Sequence, residues 1–155
     1  MHRKENAGSS DRTARGESAG DHPGPSRGDE LRGSRRFSVV IPTLNEEQAI
    51  GDVLSGIPAW VWERGEVLVV DASQDRTPLV AAGMGARVIR AGRTGKGHQL
   101  KLGVHNACGD ILIMMDGDGE HPPEYIPLLV AALDRGCDVS LGTRMRVPFG
   151  SHPLA

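Results

Sequence analysis

A chain of 155 residues with a formal net charge of −2 and a pI near 6.3 allows one modest domain and lacks the basic field that draws nucleic acid. Hydrophobic residues make up 38% of it but aromatics only 3%, so aliphatic side chains must pack the core. Cys108 and Cys137 are too few for a secreted disulfide framework and have no zinc-type spacing, so both are expected as small buried residues in a reducing compartment.

Met1 to Arg36 is rich in Gly, Ser, Arg, Asp and Glu and has almost no aliphatic residues. Such a stretch cannot bury enough apolar surface to offset its ordering entropy, and residues 1–36 are expected to be a disordered tail. Its Arg32, Arg35 and Arg36 cluster could touch anionic lipid, but reads rather as part of a solvated linker. No apolar h-region follows the basic start, and the longest apolar stretches, Ile111 to Met115 and Leu128 to Leu133, fall far short of a membrane span. A cytoplasmic chain is expected.

From Phe37 onward short apolar runs alternate with amphipathic stretches, the pattern of α/β units around a mainly parallel sheet. Strands are predicted at Phe37 to Ile41, Val67 to Asp71, Arg87 to Arg90, Asp110 to Met115 and Asp138 to Leu141. The first predicted helix carries Ile50, Val53, Leu54 and Ile57 on one face. Asn45 is its cap, Glu46 and Glu47 lie in its first turn, and Gly56 and Pro58 end it. A second is capped by Thr77, opens on Pro78 and closes at Gly83 and Gly85. The third runs from about Lys96 to Ala107 with Leu100, Val104 and Ala107 inward. A fourth follows Pro122 and Pro123, with Pro127 in its first turn, carries Ile126, Leu129, Val130 and Leu133, and ends at Gly136.

The run Ile111 to Met115 stops at Asp116-Gly117-Asp118. Carboxylates two residues apart where a strand becomes a loop can face one cavity, and hard oxygen donors suit Mg²⁺ or Mn²⁺ holding a diphosphate. A solvated turn is the plain alternative. A calcium-binding EF-hand loop is excluded, because counting from Asp116 puts His121 and Pro127 where that loop needs glycine and an acid. Asp71 ends a strand as Asp116 does, so both can line the crevice at the carboxyl ends of a parallel sheet. Lys96, between two glycines at a helix start, offers a cation and free N–H groups to an anion, or is a surface lysine. His98 and His121 read as ordinary helix-start and turn residues.

In order along the chain stand Ser38-Val39-Val40-Ile41-Pro42-Thr43-Leu44-Asn45-Glu46-Glu47, Val69-Val70-Asp71-Ala72-Ser73-Gln74-Asp75-Arg76-Thr77, Gly95-Lys96-Gly97, Met115 to Glu124 and Leu141-Gly142-Thr143-Arg144. This series resembles the family 2 glycosyltransferases of the GT-A fold, most of all the dolichyl- or polyprenyl-phosphate sugar synthases, over about residues 37–145. The resemblance implies a Rossmann-like three-layer sandwich, with residues 146–155 as a C-terminal tail and the acceptor-binding half of the usual domain missing.

For the site, the resemblance implies that Pro42, Leu44, Glu46 and Asp71 recognise the nucleotide and that Lys96 contacts its phosphates. It implies that Asp116, Asp118 and Glu120 hold Mg²⁺ or Mn²⁺, and that Arg144 grips a phosphate bidentately. Glu46 as a helix-start charge and Asp71 as a turn residue remain the plain alternatives. Alignment on Ser73, Asp75 and Thr77 puts Val70 where the family often has a first of two acids, and Leu44 replaces a frequent tyrosine.

The implied reaction moves a sugar from a nucleoside diphosphate to an acceptor with inversion, Asp118 and Arg144 acting at the reacting groups. No Asp or Glu follows Asp138, which agrees with a polyprenyl phosphate acceptor that is already an anion and needs no general base. Such an acceptor would bring the chain to the inner face of a membrane. A non-catalytic nucleotide-sugar-binding remnant, or a fragment needing a partner chain, is the rival reading. A nucleotidyltransferase is disfavoured, because the loop after the first strand is acidic where those enzymes carry a glycine-rich basic one. The missing half would leave a sheet edge open, so self-association is expected.

Overall fold

The structure, a computed structural model, describes residues 35–143. Arg144, residues 1–34 of the tail expected over 1–36, and the tail at 146–155 lie outside the described residues.

Strand β1 (Phe37–Thr43) is followed by helices α1 (Ile50–Gly56) and α2 (Ala59–Arg64), strand β2 (Gly65–Asp71), helix α3 (Thr77–Gly83) and strand β3 (Arg87–Arg90). Helix α4 (Lys96–Asn106), strand β4 (Ile111–Met114), a 3₁₀ turn (Pro123–Tyr125) and helix α5 (Ile126–Leu133) complete the described order. The four strands are parallel in the order β3-β2-β1-β4. From β1 the sheet grows one way through β2 and β3. It then reverses to set β4 on the other side of β1. Such a reversal opens a crevice beyond the strand ends, here between β1 and β4.

The two faces of the sheet are read from alternate residues. Val39, Ile41, Val67 and Val69 pack with Ile50, Val53 and Leu54 of α1, Val61 of α2, Ala81 of α3 and Ile126 of α5. Val40, Leu68 and Val70 face α4 and the residues just beyond it through Leu100, Leu102 and Ala107. Helices on both faces give three layers. Burying one such aliphatic side chain contributes about 1.5–3 kcal/mol, and β1, buried along its whole length, is the centre of the core.

Helix α4 lies close because its inward face is small. A Cβ built at Gly103 would sit 2.3 Å from Val40 Cγ1, and the buried residues of the helix are Gln99 and Gly103. Val104, predicted inward, is exposed. Leu100 and Ala107 pack inward as predicted, but glycine and glutamine, which the apolar spacing does not mark, line the closest part of the contact.

Other expectations change. Helix α2 was not predicted: Pro58, taken as a terminator, is its N-cap. Asp138 to Leu141, predicted as a strand, forms none, and Val139 and Leu141 are exposed. Both cysteines are exposed rather than buried: Cys108 lies in the loop after α4 and Cys137 just past the turn that ends α5. Beside β4, a cleft of about 710 Å³ is lined by Leu112, Met114, Leu129, Leu133, Val139 and Leu141 among others. No helix among the described residues is long and apolar enough to cross a membrane.

Candidate nucleotide and metal site at the strand ends

Pro42 marks where the crevice opens. The Val40 carbonyl accepts the Met115 amide at 3.3 Å, and pairing of β1 with β4 stops at Val40 and Met114. Two residues on, and on the same side of β1, Pro42 has no N–H to offer. A proline is tolerated in this central strand because its β4-facing side has already lost its neighbour.

Beyond β4 the chain crosses the end of β1 at Gly117. This residue is buried, and a Cβ there would lie 2.7 Å from Thr43 Cγ2. The glycine lets the loop sit down on β1, which leaves Asp116 partly buried and Asp118 exposed on either side of it. Asp116 Oδ1 lies 2.5 Å from Lys96 Nζ, and its Oδ2 lies 3.3 Å from His121 Nδ1. Asp118 Oδ1 accepts the Glu120 amide at 2.9 Å. His121, assigned only a turn role by its sequence, is thus beside the first carboxylate.

The loop after β1 is fastened to the loop after β2 by alternating bonds. Amides of Asn45, Glu46 and Glu47 donate to Ser73 Oγ at 2.7 Å, Thr77 Oγ1 at 2.8 Å and Asp75 Oδ2 at 3.3 Å. In return the Gln74 amide donates to Asn45 Oδ1 and the Arg76 amide to Glu47 Oε2, both at 3.0 Å. Asn45 turns the chain with a φ of 59°, a left-handed conformation that asparagine tolerates better than most residues. It is therefore not the helix cap that its position suggested, and α1 begins at Ile50. Burial works against ionisation of Asp75, but bonds from Thr77 and the Glu47 amide hold its carboxyl below the ordinary range.

Glu46 emerges from this clasp toward the Asp116 loop. Burial first, then the carboxylates of Asp118, Asp75 and Asp116, push its carboxyl above the ordinary range. Negative charge is concentrated where β1 and β4 part. Gln99, whose signal in the sequence was nil, ties the neighbouring strand ends together: its Nε2 donates to the carbonyls of Thr43 at 2.8 Å and Val70 at 2.7 Å.

Asp71 is placed differently from Asp116. It lies on β2, one strand beyond β1, and is fully buried. Its Oδ1 accepts the Thr43 hydroxyl at 2.9 Å and its Oδ2 the guanidinium of Arg90. Pro42 is buried and Leu44 exposed at the mouth of the crevice.

Among the described residues no group of three or more His, Cys, Asp or Glu is arranged to hold a metal ion. Magnesium, and manganese like it, is commonly held by one or two carboxylates while substrate phosphates and water supply the rest. The donors present fit that mode: hard oxygens on one loop, neighbouring carboxylates that add to burial in raising Glu46, and an ammonium already drawn to Asp116.

The profile of "Glycosyl transferase family 2" matches residues 38–154. The chain is 41% identical over 109 residues to a dolichyl-phosphate hexose transferase of Haloferax volcanii, covering 70% of this chain and 48% of that protein. It is 34% identical over 116 residues to a dolichol-phosphate mannosyltransferase of Pyrococcus furiosus, covering 70% and 33%. A crystal structure of glucosyl-3-phosphoglycerate synthase from Mycobacterium tuberculosis with Mn²⁺ and UDP-glucose matches with a TM-score of 0.61 and 34% identity, over 70% of this chain and 43% of that one. The chain spans about half or less of the length of these relatives. Strand order and these likenesses agree on the GT-A fold. With the family profile covering most of its length, the chain belongs to glycosyl transferase family 2.

Proposed function

We propose that this chain binds a nucleoside-diphosphate sugar across the ends of β1 and β4 and serves transfer of the sugar to an acceptor. The observation that carries the reading is the seating of the Asp116-Gly117-Asp118 loop on Thr43, beside Glu46. Asp116 and Asp118 are the residues that would hold Mg²⁺ or Mn²⁺, with diphosphate and water oxygens as the remaining ligands. When bound, the ion supplies charge neutralisation for the departing nucleoside diphosphate. The match to a structure crystallised with Mn²⁺ and UDP-glucose supports both the metal and the donor class.

The chain's own residues divide the remaining work. Lys96 is within reach of the same space through Asp116 and supplies positive charge to the phosphates. The clasp of Ser73, Asp75 and Thr77 holds Leu44 and Glu46 as a fixed wall for the nucleoside, so little ordering is needed on binding. Arg144 is assigned the acceptor or donor phosphate.

Polyprenyl phosphate is the acceptor class that the names of the relatives favour. A phosphate oxygen attacks C1 of the sugar from the face opposite the leaving diphosphate, the C1–O bond to that diphosphate breaks, and the configuration inverts. The nucleophile is already an anion, so the step calls for no general base. This acceptor implies a peripheral position at a membrane's inner face. The exposed Leu112 and Met114 on β4, an edge strand of the described sheet, support self-association through that edge.

The test is release of nucleoside diphosphate from UDP- and GDP-sugars, with and without Mn²⁺ and a short-chain polyprenyl phosphate. Release that requires both additions supports transfer. Metal-dependent donor binding with no release under any combination supports a donor-binding role instead.

A further inference from the structure

Asp71, the acid expected to meet the nucleotide, has no exposed surface. The residue that screens it is Arg90, at the last position of β3 and paired in register with Asp71. Nη1 of Arg90 donates to Asp71 Oδ2, and Nη2 donates to the Ser73 carbonyl at 2.9 Å. Two anchors fix the plane of the guanidinium. Its side chain is nevertheless 58% exposed, and the two bonds use two of its five donors, so others remain to meet a ligand at the rim of the sheet.

The position matches the far end of a nucleotide. From the Asp116 loop the strand ends run β4, β1, β2, β3. Neighbouring strands are about 4.8 Å apart, so Arg90 lies roughly 12 Å across from the crevice, comparable with the reach from a diphosphate to the outer edge of its base. The connection is continuous: Ser73 binds Arg90 through its carbonyl and the Asn45 amide through its hydroxyl.

We propose that Arg90 reads the base of the bound nucleotide, and that Asp71 is a positioning residue that aims it. The idea rests on the donor-binding reading above. A rigid guanidinium bonds well to carbonyl and ring-nitrogen acceptors, as on guanine O6 and N7, and meets a competing amino donor on adenine. Bases with outward carbonyls, uracil or guanine, are therefore favoured over adenine. A planar guanidinium also offers a stacking face where Leu44 provides no aromatic ring.

The experiment measures Kd for UDP, GDP and ADP with Mn²⁺ on the parent chain, Arg90→Gln and Arg90→Lys, alongside thermal melts. The parent should favour UDP or GDP over ADP by about tenfold or more, the scale of one charge-assisted hydrogen bond. Arg90→Lys keeps a cation against Asp71 and should melt near the parent, yet lose most of that preference. An undiminished preference in a folded Arg90→Lys chain makes the residue merely structural and overturns the proposal, as does a parent that binds ADP as tightly as the others. If Arg90→Gln does not fold, the lysine variant decides. A parent that binds none of the three removes the donor-binding reading itself, and this proposal with it.

Discussion

The ammonium of Lys96 lies 2.5 Å from Oδ1 of Asp116: a residue expected at the donor's phosphates neutralises a carboxylate expected at the metal. With 62% of its side chain exposed, Lys96 has room to exchange that partner for a diphosphate. Lys96→Met should therefore tighten binding of Mn²⁺ alone by up to about fivefold, the scale of an exposed ion pair, while weakening metal-assisted binding of UDP or GDP. Paired titrations with the metal alone and with nucleotide check this. Weakening of both would remove the exchange.

Gly117 should admit no side chain without cost. Its added Cβ meets Thr43 Cγ2 at 2.7 Å and Ile41 Cγ2 at 3.4 Å, within the core beneath the loop. Gly117→Ala is expected to destabilise the fold by about 1–3 kcal/mol and to lift Asp116 and Asp118 out of alignment. Urea denaturation reads the first effect and Mn²⁺-dependent nucleotide binding the second. A variant as stable as the parent would mean that the loop yields freely.

Thr77 is the centre of the clasp, accepting the Glu46 amide at 2.8 Å and donating to Asp75 at 2.6 Å. Thr77→Val keeps the shape but leaves the Glu46 amide unpaired and takes from Asp75 one of its bonds, the Thr77 and Glu47 amides remaining, at a cost of about 1–3 kcal/mol. Hydrogen exchange at the Glu46 amide should accelerate beyond that at core amides of β1. Equal changes at both would indicate global rather than local loosening.

At the opposite ends of the strands, Glu66 ties several segments together. Burial opposes its ionisation, but the Cys108 amide, the Ser38 hydroxyl and Arg87 hold its carboxyl below the ordinary range. The folded chain therefore releases this proton more readily than the unfolded one. Its stabilisation is complete above the ordinary glutamate value and is lost as pH falls through the lowered one. Glu66→Gln should lower stability near neutrality and flatten the acid limb of a stability–pH curve. An acid limb as steep as the parent's would assign that limb to other carboxylates.

The parts that were legible in the sequence are those set by local pattern. Strands β1 and β2 are continuous aliphatic runs because parallel strands are buried on both faces, and Arg87–Arg90 was predicted to the residue. The Asp116 loop was recognisable because its strand ends abruptly. Partnerships across the sheet were not legible. The clasp joins residues 28 to 31 positions apart, Gln99 reaches Thr43 over 56 positions, and periodicity carries no information at that range. Asp71 illustrates the limit: its residue type and strand-end position agreed with ligand contact, but only the pairing with Arg90 determines which of the two faces outward.

The most direct test compares calorimetric binding of UDP- and GDP-sugars, with and without Mn²⁺, by the parent chain and by the Asp116→Asn, Asp118→Asn double variant. Mn²⁺ should strengthen donor binding by the parent at least about tenfold, a contribution near 1.4 kcal/mol, and leave the double variant unaffected. An equal gain from Mn²⁺ in both proteins would contradict the assignment of these carboxylates to the metal and the donor's diphosphate.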